Sequence, residues 1–111
     1  MASFNTWLGM SPGDDGSSVV LETRPEHLVA PETIHFAVLT TLAEVSAAQA
    51  VGAPVVPASV TVNLLRRARP GRLVGRGTVV RKGRRLAVAE GEVTREGELV
   101  AKAVVTFAVL G

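Results

Sequence analysis

The chain has 111 residues and no cysteine, so disulfides, thiol chemistry and cysteine-ligated zinc are excluded. It is 47% hydrophobic with a mean hydropathy of +0.31, apolar for a small domain, yet no apolar run approaches the roughly 18 residues of a membrane span. The net charge is +2, but residues 1–58 hold one base against six acids, while residues 59–111 hold eleven bases against four.

The basic half suits a nucleic acid or a phosphorylated small molecule such as a nucleotide or coenzyme A. The apolar surplus suits burial against a second copy of the chain. One domain over 1–111 is expected, with residues 1–16 packed on it or leading into it. The N-terminus lacks the basic start and apolar core of an export signal, so a cytoplasmic protein is the expectation.

Within residues 1–16, Trp7 to Met10 reads as a short turn or helix, and Ser11 to Gly16 as a loop by its turn chemistry. Val19 to Leu21 with Thr23 is a short strand, ended by Arg24-Pro25-Glu26-His27. His27 to Glu32 is a connection. Thr33 is placed to cap a helix that runs to about Ala50, stopped by Gly52 and Pro54. Ile34, Val38, Leu42, Val45 and Gln49 form one stripe of it, with Leu39 alongside. The helix is apolar nearly all round, so a sheet curled about it would bury it.

Four strands follow: Ser59 to Leu65 running on into Arg66-Arg67, then Arg72 to Arg81, Arg85 to Thr94 and Leu99 to Val109. The turns between them are short, which implies an antiparallel meander. Gly75 and Gly77 fall on one face of their strand and leave room for a close neighbour, such as the helix. The layout is α+β, one helix on one face of a sheet.

The order His27-Leu28, a short loop, His35, then Leu42-Ala43-Glu44 resembles the hotdog-fold thioesterases of the phenylacetate-pathway and 4-hydroxybenzoyl-CoA group. The resemblance extends through Val60 to Gly71, Val79 to Val88 and Gly97 to Lys102, and covers about residues 17–110. It implies a hotdog fold, an antiparallel sheet of about five strands wrapped around one central helix. It also implies hydrolysis of an acyl-CoA thioester by a homodimer or a dimer of dimers, with Glu44 as nucleophile or general base. No cofactor is implied, coenzyme A being part of the substrate. The chain departs from the family's pattern at four places. Val29 stands where an amide residue is usual, Glu32 where a glycine is usual, and Phe36 and Ala37 where two glycines usually follow the histidine.

Glu44 is the one charge in its helix, and in a cleft it would act on water or on a thioester carbonyl. His35 lies nine residues earlier, half a turn out of phase, so the two form no dyad within one helix. Its plainest use is to satisfy backbone groups at the helix start; the resemblance adds a substrate-facing role. The Phe36 N–H lies in the first helical turn, where an oxyanion would be stabilised. Phe36 and Glu44 are eight residues apart, about 12 Å along a helix, so one carbonyl cannot touch both. A site using both must draw them from different subunits.

Arg81, Lys82, Arg84 and Arg85 surround Gly83 in a turn. They serve equally as a solubilising edge or as a clamp on coenzyme A phosphates. Arg66, Arg67, Arg69 and Arg72 form a second basic cluster able to do the same. Asn63 is a candidate partner for a pantetheine amide. The two histidines lack the spacing of a helical zinc site, and no phosphate loop is present. The basic strands carry no aromatic platform for stacked bases, which argues against nucleic acid. The alternative to a thioesterase is a non-catalytic hotdog module that binds acyl-CoA or another apolar ligand.

Overall fold

The computed structural model describes residues 3–111. A short helix α1 (Phe4–Leu8) leads into strands β1 (Met10–Pro12) and β2 (Ser18–Glu22). A 3-10 turn, Pro25–His27, and a small hairpin of β3 (Leu28–Ala30) and β4 (Thr33–Ile34) precede the long helix α2 (Phe36–Val51). The meander β5 (Val55–Leu64), β6 (Arg72–Lys82), β7 (Leu86–Arg95) and β8 (Glu98–Val109) completes the chain. The main sheet is antiparallel throughout, in the order β1-β2-β6-β7-β8-β5. One helix against an antiparallel sheet is therefore the architecture, with the three-residue β1 as a sixth strand beside the five expected. No helix among the described residues is long and apolar enough to cross a membrane.

The small side chains of α2 and the glycines of the sheet explain how closely the two meet. A Cβ at Gly77 would overlap the carbonyl of Ser46, one at Gly91 the carbonyl of Ala43, and one at Gly75 the hydroxyl of Ser46. Gly77 and Gly91 are paired across β6 and β7, so they form one floor under the helix backbone. Register shifts in β5, β6 and β7 bend the sheet round this contact. Leu42, Ala43, Ala47, Phe107, Val105 and Leu73 fill the core beside it, each fully buried.

Several expectations need correction. The helix starts at Phe36, not at Thr33, because Thr33 and Ile34 pair with β3 and the Ile34 N–H donates to Ala68 O at 2.9 Å. His35 takes the cap: its Nδ1 accepts the Ala37 N–H at 2.9 Å. The connection from His27 to Glu32 is thus mostly hairpin, and Ser11 and Pro12 belong to β1 rather than to a loop. The strand after the helix ends at Leu64, short of Arg66-Arg67. The stop at Gly52, in a left-handed cap at φ 70°, is as expected.

The sheet covers one side of α2 only. Leu39, Leu42, Ala43, Ser46 and Ala47 are buried, whereas Val45 is half-buried and Gln49 exposed. Ala37, Thr40, Thr41, Glu44 and Ala48 lie on the far side, exposed or half-buried. Ser46 reaches the core because its hydroxyl donates to Leu42 O at 2.7 Å and so brings no unpaired group inside.

The glycine floor gives a direct test. Gly77→Ala and Gly91→Ala each press a methyl group onto helix backbone, which cannot swing aside. Each is expected to destabilise the chain by about 3 kcal/mol, the upper part of the range for overpacking, as read by urea unfolding.

Candidate active site

The start of α2 is built by long-range hydrogen bonds. His35 N–H donates to His27 O at 2.8 Å, and Val38 N–H donates to His35 O at 3.0 Å. Ala37 N–H is given to the His35 ring, whereas the Phe36 N–H has no acceptor among the described residues. That N–H points out of the positive end of a 16-residue helix. The Phe36 side chain is 57% exposed and stacks on the His35 ring with centroids 4.6 Å apart.

Both histidines are engaged with backbone. His35 accepts through Nδ1, which leaves the proton of its neutral ring on Nε2. His27 is buried; its Nδ1 accepts the Arg24 N–H and its Nε2 donates to Leu8 O, both at 2.9 Å. Among the described residues no three acidic or histidine side chains gather as a metal site.

Glu44 is half-buried and has no hydrogen bond or ion pair among the described residues. The nearby hydroxyls are already used: Thr40 donates to Phe36 O at 2.9 Å and Thr41 to Ala37 O at 2.8 Å. Burial raises the Glu44 carboxyl above the usual glutamate value. Its direction follows from the glycine contacts. Leu42 and Ser46 lie over Gly75 of β6, and Ala43 over Gly91 of β7. The next step of about 100° carries Glu44 past β7 to the side of β8 and the edge strand β5.

Two grooves flank the helix start. One, about 310 Å³, is lined by Val29, Phe36, Leu39, Leu64, Arg66 and Arg67. The other, about 280 Å³, is lined by residues including Trp7, Leu28, His35, Ala37 and Thr41. The sequence pattern pointed to Arg66 and Arg67 only as a second basic cluster and did not reveal Trp7 or Leu28, which long-range folding brings here.

The remaining candidates lie elsewhere. Arg81, Gly83 and Arg85 line a groove of about 480 Å³ at the β6–β7 turn; Lys82 and Arg84 are exposed beside it. This turn is level with the start of β5, since Val109 N–H donates to Arg85 O and Leu110 N–H to Pro54 O. The Phe36 groove is level with Leu64, at the other end of β5. The length of β5, ten residues, is about 30 Å, so the turn arginines and the Phe36 N–H of one chain stand far apart. Asn63 pairs with Lys102, whose neighbours Ala101 and Ala103 are buried under the helix. Asn63 is therefore on the outer face of the sheet, away from Glu44. Glu32 adopts a left-handed conformation at φ 58°, with its carboxylate 4.0 Å from Arg69.

The profile of the family described as acyl-CoA thioesterase N-terminal domain matches residues 24–108. The chain belongs to this family, and the expectation of a thioester hydrolase with the hotdog fold stands. A variant of the phenylacetic acid degradation protein PaaI from Thermus thermophilus is 31% identical, with a TM-score of 0.82 over 96% of this chain and 98% of that one. A conserved protein of Pseudomonas aeruginosa is 26% identical, with a TM-score of 0.86 over 99% and 95%. A Bacillus halodurans protein solved with CoA shares the fold at 24% identity, with a TM-score of 0.84 over 99% and 80%. No curated protein matches the chain.

The raised Glu44 carboxyl carries a stability prediction. Its folded-state pKa lies above the unfolded value, so ionising it disfavours the fold, and the penalty appears as pH rises through the folded-state pKa. Glu44→Gln is expected to melt higher than wild type at neutral pH. The gap should close as pH falls below the glutamate range, as followed by thermal melts across pH.

Proposed function

We propose that the chain hydrolyses acyl-CoA thioesters at two equivalent sites of a homodimer, each joining the Phe36 N–H of one subunit to Glu44 of the other. The observation that carries this reading is the unpartnered Phe36 N–H at the head of a helix whose only charged side chain, Glu44, is about 12 Å further along it. The thioester carbonyl oxygen accepts from this N–H and gains charge there. Glu44 of the partner either takes a proton from water, which attacks the carbonyl carbon, or attacks that carbon itself to give an anhydride that water then opens. In both routes the carbon–sulfur bond breaks, the coenzyme leaves as thiolate, and the thiolate takes up a proton. Both routes need Glu44 ionised, so activity rises with pH through its raised pKa.

The edge strand supports the dimer. β5 has a neighbour on one side only, and Val56, Val60 and Leu64 are exposed along it. A long apolar edge is a template for pairing with another chain. An antiparallel pairing of two β5 strands sets the Leu64 end of one beside the Val55 end of the other. The Phe36 groove of one subunit then meets the turn arginines Arg81 and Arg85 of the partner. Glu44, turned toward β5, faces the same seam. Coenzyme phosphates would be met by Arg66 and Arg67 on one side and by the partner's turn on the other.

A mixed dimer tests the shared site. Phe36→Pro removes the N–H at the first helical position, where proline is tolerated, and His35 at φ −61°, ψ 139° already has the backbone that precedes a proline. Each homodimer, Glu44→Ala or Phe36→Pro, is expected to fold and to release no thiol from an acyl-CoA panel. The heterodimer of the two variants rebuilds one of its two sites and should recover about half of wild-type turnover. A dead heterodimer would place both groups in one subunit's site and end the proposal. Acyl-CoA binding by wild type with no thiol release would identify the non-catalytic module instead.

A further inference from the structure

We propose that the groove between α1 and the start of α2 receives the acyl group of the substrate, and that Trp7 and Phe4 form the wall that selects it. This rests on the thioesterase reading and assigns to it a specificity-determining element. The first argument is position. The groove is lined by His35 and Ala37, which flank Phe36 on either side in sequence, and continues along α2 to Thr41. A carbonyl held by the Phe36 N–H would have one substituent at the mouth of this groove and the other at the mouth of the groove lined by Arg66 and Arg67.

Charge decides which substituent goes where. The coenzyme carries phosphates and the acyl group does not. The groove with two arginines suits the anionic arm. The Trp7 groove has no arginine or lysine in its lining, and its one carboxylate, Glu26, sits at the rim 3.8 Å from Arg24. Anions are disfavoured there, and its floor of Leu8, Leu28 and Val38 is apolar. At about 280 Å³ it falls just below the range of about 300–1,000 Å³ for small-ligand pockets. That admits a short or medium chain or a single ring rather than a long fatty chain.

The wall is built rather than incidental. A helix of five residues does not hold itself in water. α1 is fixed at its end by two side chains from the following segment: Arg24 Nη2 donates to Trp7 O at 2.9 Å, and His27 Nε2 donates to Leu8 O at 2.9 Å. Gly9, left-handed at φ 105°, closes the helix, and Leu8 is buried as its anchor. The result is to hold Phe4 and Trp7, ring centroids 5.9 Å apart, with 59% and 62% of their surface exposed beside the groove. Exposed aromatics held this firmly are well placed to cover an apolar ligand. The family match begins at residue 24, so this wall lies outside the matched region.

Trp7 is the only tryptophan in the chain, so its fluorescence reports on the groove directly. The Glu44→Gln chain is titrated with CoA, acetyl-CoA, hexanoyl-CoA and benzoyl-CoA, and thiol release is followed in parallel with wild type. A blue shift is expected with hexanoyl-CoA or benzoyl-CoA and none with CoA or acetyl-CoA. In catalysis, Trp7→Ala should raise KM for the better of the larger substrates about tenfold, well beyond its effect on acetyl-CoA, and be rescued by Trp7→Phe. Thiol release with an emission that responds equally to CoA alone, or not at all, overturns the acyl groove and leaves hydrolysis standing. An acyl-dependent shift with no thiol release keeps the groove and overturns hydrolysis. An equal loss of activity on all substrates in Trp7→Ala also overturns the selective wall.

Discussion

The contact between the α2 backbone and the glycine floor fixes more than stability. Carbonyl oxygens of Ala43 and Ser46 rest where the side chains of Gly91 and Gly77 would be. That closeness leaves the helix no freedom to roll about its axis, because any roll would drive a larger side chain into the sheet. Once Ala43 is held face down, Glu44, about 100° further round, is fixed on the far side of the helix and turned toward the edge strand. The proposed site therefore depends on glycines in β6 and β7 that never approach a substrate.

The same rotation explains why a single chain leaves its site unfinished. Glu44 sits on a face of α2 with Thr40, Thr41 and Ala48, half-covered by its own subunit and with no partner for its charge. The carboxyl is raised by this burial alone. A second subunit over the seam would remove more water from it and strengthen that push, while a bound carbonyl and water would give it something to act upon. Partial burial without a partner costs stability and suits a base more than a structural acid.

Much of this was legible in the sequence wherever the signal was local. The Gly75–Gly77 pattern announced a close neighbour, and Gly52 and Pro54 announced the end of the helix; the isolation of Glu44 in an apolar run marked it as the one charge of that helix. What escaped depended on distant partners. The helix start moved from Thr33 to His35 because Ala68 O and His27 O capture the N–H groups of Ile34 and His35, and no periodicity encodes those bonds. Ser46 reads as polar in sequence and is buried because its hydroxyl bonds back to Leu42 O. Asn63 and the turn arginines were candidates for one site with Phe36, yet Asn63 lies on the outer face of the sheet and the arginines are level with the opposite end of β5 from Phe36.

The departures from the family's pattern bear on the proposed hole less than their residue types suggest. Glu32, where a glycine is usual, still adopts the left-handed backbone at φ 58°, a conformation that costs a non-glycine residue about 1 kcal/mol. The turn is imposed by the β3–β4 pairing around it rather than by the residue itself. Phe36 stands where another glycine is usual, but its ring is exposed and stacks on His35, and its N–H has no acceptor among the described residues. Backbone donors tolerate changes of side chain so long as the chain path holds, and here the His27–His35 and Ile34–Ala68 bonds hold it. Val29 is different, because an amide there would act through its side chain and valine has no donor to give. The proposed oxyanion site thus rests on one backbone N–H at the positive end of α2. That makes the orientation of the carbonyl, set by what its acyl arm can reach, correspondingly more important to turnover.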